Sequence, residues 1–108
     1  HYRIAARGAA PVLGLPEVLL GLLPGAGGTQ RLPRLTTPEF AARVLLGGQP
    51  VTPDAALEAG LVDALAESAA LRASAVEMAR HALPGARWDQ PGWHAPAGPS
   101  GLIDGGDG

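Results

Sequence analysis

The stretch Leu15–Arg34, LPEVLLGLLPGAGGTQRLPR, decides how this chain is read. It sets a single carboxylate, Glu17, between Pro16 and an apolar run, Val18–Leu23, interrupted only by Gly21. Pro16 fixes its own φ and holds Leu15 extended, so Glu17 enters a turn or short helix with Val18, Leu19 and Leu20, which Pro24 ends. The glycine-rich turn Gly25–Gly28 comes next, and Thr29–Leu35 reads as a helix with Arg31 and Arg34 outward. No other stretch joins an ionisable group, an apolar wall and tightly turned backbone. Glu17 has two readings. It is a solvated carboxylate at a turn, or it is a general acid/base in an apolar pocket, where desolvation favours the protonated form and lets it trade protons near neutral pH.

The glycines also have two readings. They permit close approach of a ligand, with N–H groups of the following helix available to an anion or a water, or they make a tight turn and close helix packing. As a phosphate loop the signal is weak. No Gly-Lys-Ser/Thr ending follows, and Gln30 stands where a dinucleotide fingerprint needs its third glycine.

Outward from this stretch, His1–Ala6 reads as a short strand and Val12–Leu13 as the start of a second. Downstream, Thr37-Pro38-Glu39 and Thr52-Pro53-Asp54 are two helix starts of one design: a Thr cap, Pro at the first position and an acid near the positive helix end. The first helix has a buried stripe of Phe40, Ala41 and Val44 and stops at Gly47-Gly48. The second runs through Ala59 and closes at Gly60. Leu61–Leu65 is a brief strand or extended segment. Ser68–Leu83 is the longest helix, with Leu71, Ala75, Met78, Ala79 and Ala82 at helical spacing. From Pro84 the chain is rich in Gly and Pro, so 84–108 reads as a linker or disordered tail. Trp88 and Trp93 are unusual there and read as docking or partner contacts.

Other chemistry-bearing residues have simpler readings. His1 has no Ser, Cys or second His beside it and reads as a strand residue. Asp63 reads as a solvated strand-end carboxylate. Glu77 and His81 stand four apart, a spacing that can hold a metal, but with no third ligand in sight they read as an exposed pair. Met78 reads as core filler.

Composition limits the function classes. The chain has 108 residues, a formal net charge of −2 and no basic block, so nothing points to nucleic acid or an anionic membrane surface. With no cysteine, disulfides, thiol nucleophiles and cysteine-held metals are excluded, which fits a reducing, cytoplasmic setting. The longest apolar run is six residues against the roughly 20 that a bilayer needs. Sixteen glycines and eleven prolines stand against one Phe, one Tyr and two Trp, which leaves few large side chains to fill a core. The chain also begins at His1 in what reads as the inside of a strand, so a fragment of a larger domain is expected.

LPEVLLGLLPGAGGTQRLPRL resembles the signature of the enoyl-CoA hydratase/isomerase (crotonase) superfamily, closest in wording to the hydratase region of multifunctional fatty-acid oxidation alpha subunits. The resemblance continues through LLGGQPVTPDAALEAGLVD. It implies an α/β, partial crotonase-like fold, a helix-rich fragment with short strands, in which 1–83 form the C-terminal portion of the domain. It implies an acyl-CoA thioester substrate with no separate cofactor, CoA being part of the substrate. Two catalytic positions carry over: Glu17, donating a proton to the α-carbon during hydration, and Gly25, whose backbone N–H helps hold the water. A first glutamate and the oxyanion-hole N–H groups lie upstream in relatives, so the isolated chain is expected to be inactive. The full-length parent is expected to be a homo-oligomer or part of a multifunctional complex. An isomerase of the same fold and a non-catalytic interaction fragment stay open as alternatives.

Overall fold

The structure, a computed structural model, describes residues 2–82, 88, 90–94 and 96. In chain order the elements are strand β1 (Ile4–Ala6), a 3-10 turn (Pro16–Leu20), α1 (Gly28–Arg31), a second 3-10 turn (Leu32–Arg34), α2 (Pro38–Gly47), α3 (Pro53–Ala59), β2 (Ala64–Ala66), a third 3-10 turn (Ser68–Ala70) and α4 (Leu71–His81). The chain divides into two compact units, one built from the segments up to Leu13 and from Val51 to His94, the other on Gly14–Pro50. The class is α/β, helix-rich with short strands, as expected.

In the first unit β1 and β2 pair in parallel, with Ile4 opposite Ala64, Ala5 opposite Leu65 and Ala6 opposite Ala66. Parallel strands need a long crossover, and here everything between β1 and β2 serves as one. Leu13 and Val51 form an antiparallel bridge, in which Val51 N–H donates to the Leu13 carbonyl at 2.7 Å. The expected strand at Val12–Leu13 is reduced to this bridge. The core is small: Ala5, Ala56 and Val62 are buried, with Leu13, Val51, Leu61 and Leu65 packed around them. Thr52 Oγ1 caps α3 by accepting from Ala55 N–H at 3.2 Å, and Gly60 ends it in the left-handed conformation.

Three expectations are corrected in this unit. The strand expected at His1–Ala6 is only Ile4–Ala6, and His1 lies outside the described residues. The strand expected at Leu61–Leu65 starts at Ala64, because Leu61 N–H and Val62 N–H are drawn back onto the Ala56 carbonyl, at 2.8 and 3.4 Å, to close α3. Asp63 is not a solvated carboxylate. Its Oδ2 accepts from Arg3 N–H at 2.7 Å and lies 3.4 Å from the Arg3 guanidinium, whose Nε donates to the Leu61 carbonyl at 2.6 Å. Backbone donors at strand ends need partners, and this pair supplies them.

The helix expected over Ser68–Leu83 opens as a 3-10 turn and continues as α4 to His81; Leu83 lies outside the described residues. Its stripe is half-buried at Leu71, Ala75 and Met78, and none of its residues is fully buried. The tail reading for 84–108 falls mostly outside the described residues; Trp88 and Trp93 are described and are half-buried.

The second unit is helical. Thr37 Oγ1 accepts from Phe40 N–H at 3.4 Å at the start of α2, and Leu32, Ala41 and Val44 are buried. Phe40, expected in the buried stripe, is half-exposed with the Arg43 guanidinium 5.5 Å from its ring centroid. The helix expected at Thr29–Leu35 is split, since Pro33 has no N–H to continue the α pattern and the chain tightens to 3-10 geometry. Among the described residues no helix is long and apolar enough to cross a membrane.

Candidate active site

Glu17 and Gly25, the two carried-over positions, both fall in the Gly14–Pro50 unit. Leu15 is extended before Pro16, which takes the first position of the 3-10 turn Pro16–Leu20; Glu17 is therefore in the first turn of a short helix, as its sequence context predicts. Gly21 closes the turn at φ +76°, and Leu22 N–H donates to the Glu17 carbonyl at 3.0 Å. The Glu17 carbonyl is thus tied to the residues that close the turn. Its side chain is half-buried, and Oε2 is shielded from solvent with no hydrogen-bond partner among the described residues. A shielded, unpaired carboxylate oxygen is costly unless something else satisfies it, so the position suits an incoming hydrogen-bonding group.

The apolar wall predicted after Glu17 exists but faces outward. Leu20 is 77% exposed and Leu23 84%, and Leu19, Leu22 and Leu46 are also exposed. All five belong to this one unit. Isolated surface leucines are ordinary; four of these five stand within Leu19–Leu23.

Gly25 opens a tight turn that Gly28 N–H closes onto the Gly25 carbonyl at 2.9 Å. Ala26 and Gly27 both have positive φ, +52° and +81°. Glycine takes this conformation freely, whereas for Ala26 it costs about 1–2 kcal/mol. Around Gly25 a side chain would meet nothing within 4 Å, and among the described residues its N–H donates to no backbone carbonyl. Gly25 therefore presents an open peptide donor, the property a water-holding N–H requires.

Two further shielded oxygens without a described partner, Thr36 Oγ1 and Glu39 Oε1, lie in this unit, and Thr36 is 2% exposed. Sequence reading singled out neither. A Thr next to a helix cap reads as capping chemistry, and only packing shows that Thr36 is enclosed. It also missed the strained Ala26, which nothing in the alanine type announces.

Of the remaining chemistry-bearing residues, Asp63, Glu77 and His81 line one open pocket of the first unit, with Tyr2, Ser74 and Met78 beside them. Glu77 Oε1 and His81 Nε2 are 2.7 Å apart on an exposed face of α4, with Arg80 at 3.7 Å from Glu77 Oε2. Among the described residues no group of three His, Cys, Asp or Glu is placed to hold a metal.

Comparison with known proteins gives the family. Residues 1–88 match the enoyl-CoA hydratase/isomerase family model. Among solved structures, the enoyl-CoA hydratase of Bacillus anthracis is 42% identical with a TM-score of 0.66, over 73% of this chain and 30% of that one. The enoyl-CoA hydratase of Geobacillus kaustophilus is 43% identical with a TM-score of 0.66 over the same shares. DspI of Pseudomonas aeruginosa is 42% identical with a TM-score of 0.66, over 73% of this chain and 29% of that one. The chain thus spans about three tenths of the length of the solved structures it matches. A family match over most of the chain, joined to a crotonase-like fold and to a Pro-Glu turn followed by a left-handed glycine turn, makes this chain a member of the enoyl-CoA hydratase/isomerase family.

Proposed function

We propose that this chain supplies one catalytic half of an enoyl-CoA hydratase, with 1–83 forming the C-terminal portion of a crotonase-like domain. The observation that carries the reading is Glu17: a carboxylate on a short helix that Pro16 opens and Gly21 closes, with Oε2 shielded and unpaired. In the proposed reaction water adds across the double bond of a 2-enoyl-CoA. Its oxygen bonds the β-carbon and a proton is delivered to the α-carbon. The thioester carbonyl carries the developing negative charge, which stabilises an enolate-like transition state when N–H donors surround it. Glu17 is the proton donor to the α-carbon, and it accepts that proton in the reverse direction. The open N–H of Gly25 holds the water.

The chemistry needs a second carboxylate to activate the water and an oxyanion hole, and neither is assigned to residues of this chain. The 108-residue chain alone is therefore proposed to turn nothing over, and the full-length protein that contains it is proposed to act in fatty-acid β-oxidation in the cytoplasm. It needs no separate cofactor. The exposed leucines around Glu17 support a working form in which further protein covers them, as a homo-oligomer or within a multifunctional complex.

The test is hydration of a 2-enoyl-CoA by the full-length protein, beside a 3-enoyl-CoA. Hydration lost in Glu17→Gln supports the reading. Conversion of the 3-enoyl substrate without hydration assigns Glu17 to double-bond isomerisation instead, and near-parental hydration by Glu17→Gln removes Glu17 from the chemistry.

A further inference from the structure

Left-handed glycines close three short helices of this chain, and they differ in what surrounds them. Gly21, after the Glu17 turn, has φ +76° and would meet nothing within 4 Å if it carried a side chain. Gly60, after α3, has φ +86°. For a helix end that conformation is reason enough for glycine. Gly48, after α2, has φ +67° and a second requirement: a Cβ there would stand 2.8 Å from Val18 Cγ2 and 2.9 Å from Leu19 Cγ. Real Cβ contacts do not come that close, so any side chain at 48 displaces the two residues that follow Glu17. Gly48 is buried, its N–H is committed to the Val44 carbonyl at 3.1 Å, and the helix it ends carries the buried Ala41 and Val44. Position 48 is anchored, and the Glu17 turn is the part that would yield.

The other side of the same turn rests on a second glycine. A Cβ on Gly28 would stand 3.0 Å from Leu15 Cδ1 and 3.5 Å from Pro24 Cβ. Glu17 therefore lies between two glycine seats, Gly28 under Leu15 and Gly48 under Val18 and Leu19. Gly28 meets the tip of a flexible leucine, which can turn aside. Gly48 meets a branched Val18 with stiff χ1 and the branch carbon of Leu19, atoms one bond from Cβ that yield less readily than a side-chain tip.

We propose that Gly48 is a positioning residue for Glu17: its missing Cβ is the seat that sets the depth and orientation of the Pro16–Leu20 turn, and hence where the Glu17 carboxyl meets the substrate α-carbon. This rests on the reading of Glu17 as the proton carrier. The surface it specifies is glycine-sized, so even the methyl group of Ala presses on the turn through Val18 and Leu19. Misplacement of the turn costs catalysis more than binding, since proton transfer demands close geometry while CoA recognition is spread over many contacts.

The experiment measures kcat and KM for 2-enoyl-CoA hydration by the full-length protein, for wild type, Gly48→Ala, Gly48→Ala with Val18→Ala and Leu19→Ala, and Gly60→Ala. Gly60→Ala imposes the left-handed strain at a helix end in the other unit and is expected to keep wild-type kcat. Gly48→Ala is expected to lower kcat about 10- to 100-fold with KM within about threefold. Shaving Val18 and Leu19 in that background removes the clashing atoms and is expected to restore most of the lost kcat. Wild-type kcat in a folded Gly48→Ala protein overturns the proposal, as does a loss that the shaved variant does not recover, because that loss belongs to backbone strain. If Gly48→Ala does not fold, the shaved variant decides alone: recovered hydration supports the seat, and a folded but slow protein overturns it. No hydration by wild type breaks the assignment of Glu17 itself, and the role of Gly48 goes with it; wild-type hydration with unmoved kcat in Gly48→Ala breaks only the role of Gly48.

Discussion

The unit that holds the parallel strands and the unit built on Gly14–Pro50 are made on different terms. In the first, backbone and side chains answer one another. Thr52 caps α3, Arg3 and Asp63 tie the strand ends, and the leucines Leu13, Leu61 and Leu65 close over a core of Ala5, Ala56 and Val62. In the second, the local rules are broken in several places at once. Ala26 is left-handed, three side-chain oxygens are shielded without a described partner, and Leu19, Leu20, Leu22, Leu23 and Leu46 face outward. Where several independent rules fail together in one short segment, function is the economical explanation. The first unit reads as scaffold and the second as the candidate site.

That contrast can be broken by measurement. The largest effect is expected from Glu17→Gln in the second unit: a loss of about 10²- to 10⁴-fold in hydration kcat, the usual worth of a positioned acid/base, with an unchanged urea midpoint. A drop in stability matching the drop in rate would make Glu17 scaffold. Next comes Asp63→Ala in the first unit. It removes the acceptor that Arg3 N–H meets at 2.7 Å and is expected to cost about 1–3 kcal/mol in urea unfolding, with kcat per folded molecule unmoved. A rate effect beyond the stability effect would extend the site into the first unit.

Thr52→Ala is expected to cost about 1 kcal/mol, and Thr37→Ala less, because its hydrogen bond to the helix is 3.4 Å long against 3.2 Å at Thr52. Thermal melts of the two variants compare the units directly at matched caps. The smallest effect carries the opposite sign. Ala26→Gly relieves a left-handed alanine and is expected to stabilise by about 0.5–1 kcal/mol after the flexibility that glycine adds to the unfolded chain. If that variant gains stability and loses hydration, the strain at Ala26 serves the water-holding turn; destabilisation would show that the Ala26 methyl group is packed.

The readable parts of the fold were those carried by near neighbours in the chain. Both Thr-Pro-acid starts became capped helices, Pro16 opened a short helix around Glu17, and the Glu77–His81 spacing produced an exposed side-chain pair. The misreadings came where distant residues compete for one group. Asp63 looked solvated because Arg3, 60 positions away, is invisible to a local pattern. The strand over Leu61–Leu65 was placed early because the closing of α3 onto Ala56 claims its first residues.

By itself the sequence determined the boundaries of the capped helices and the turn around Glu17, because capping, proline geometry and glycine turns act within a few residues, and through its family resemblance it determined the fold class and the candidacy of Glu17 and Gly25. Only the tertiary structure decided that Ile4–Ala6 pairs in parallel with Ala64–Ala66, that one oxygen of Glu17 is shielded, and that Gly48 lies against Val18 and Leu19. Those are statements about which side chains share space. Interiors packed to the density of crystals make such sharing unforgiving at the scale of a methyl group, and a linear pattern carries no record of it.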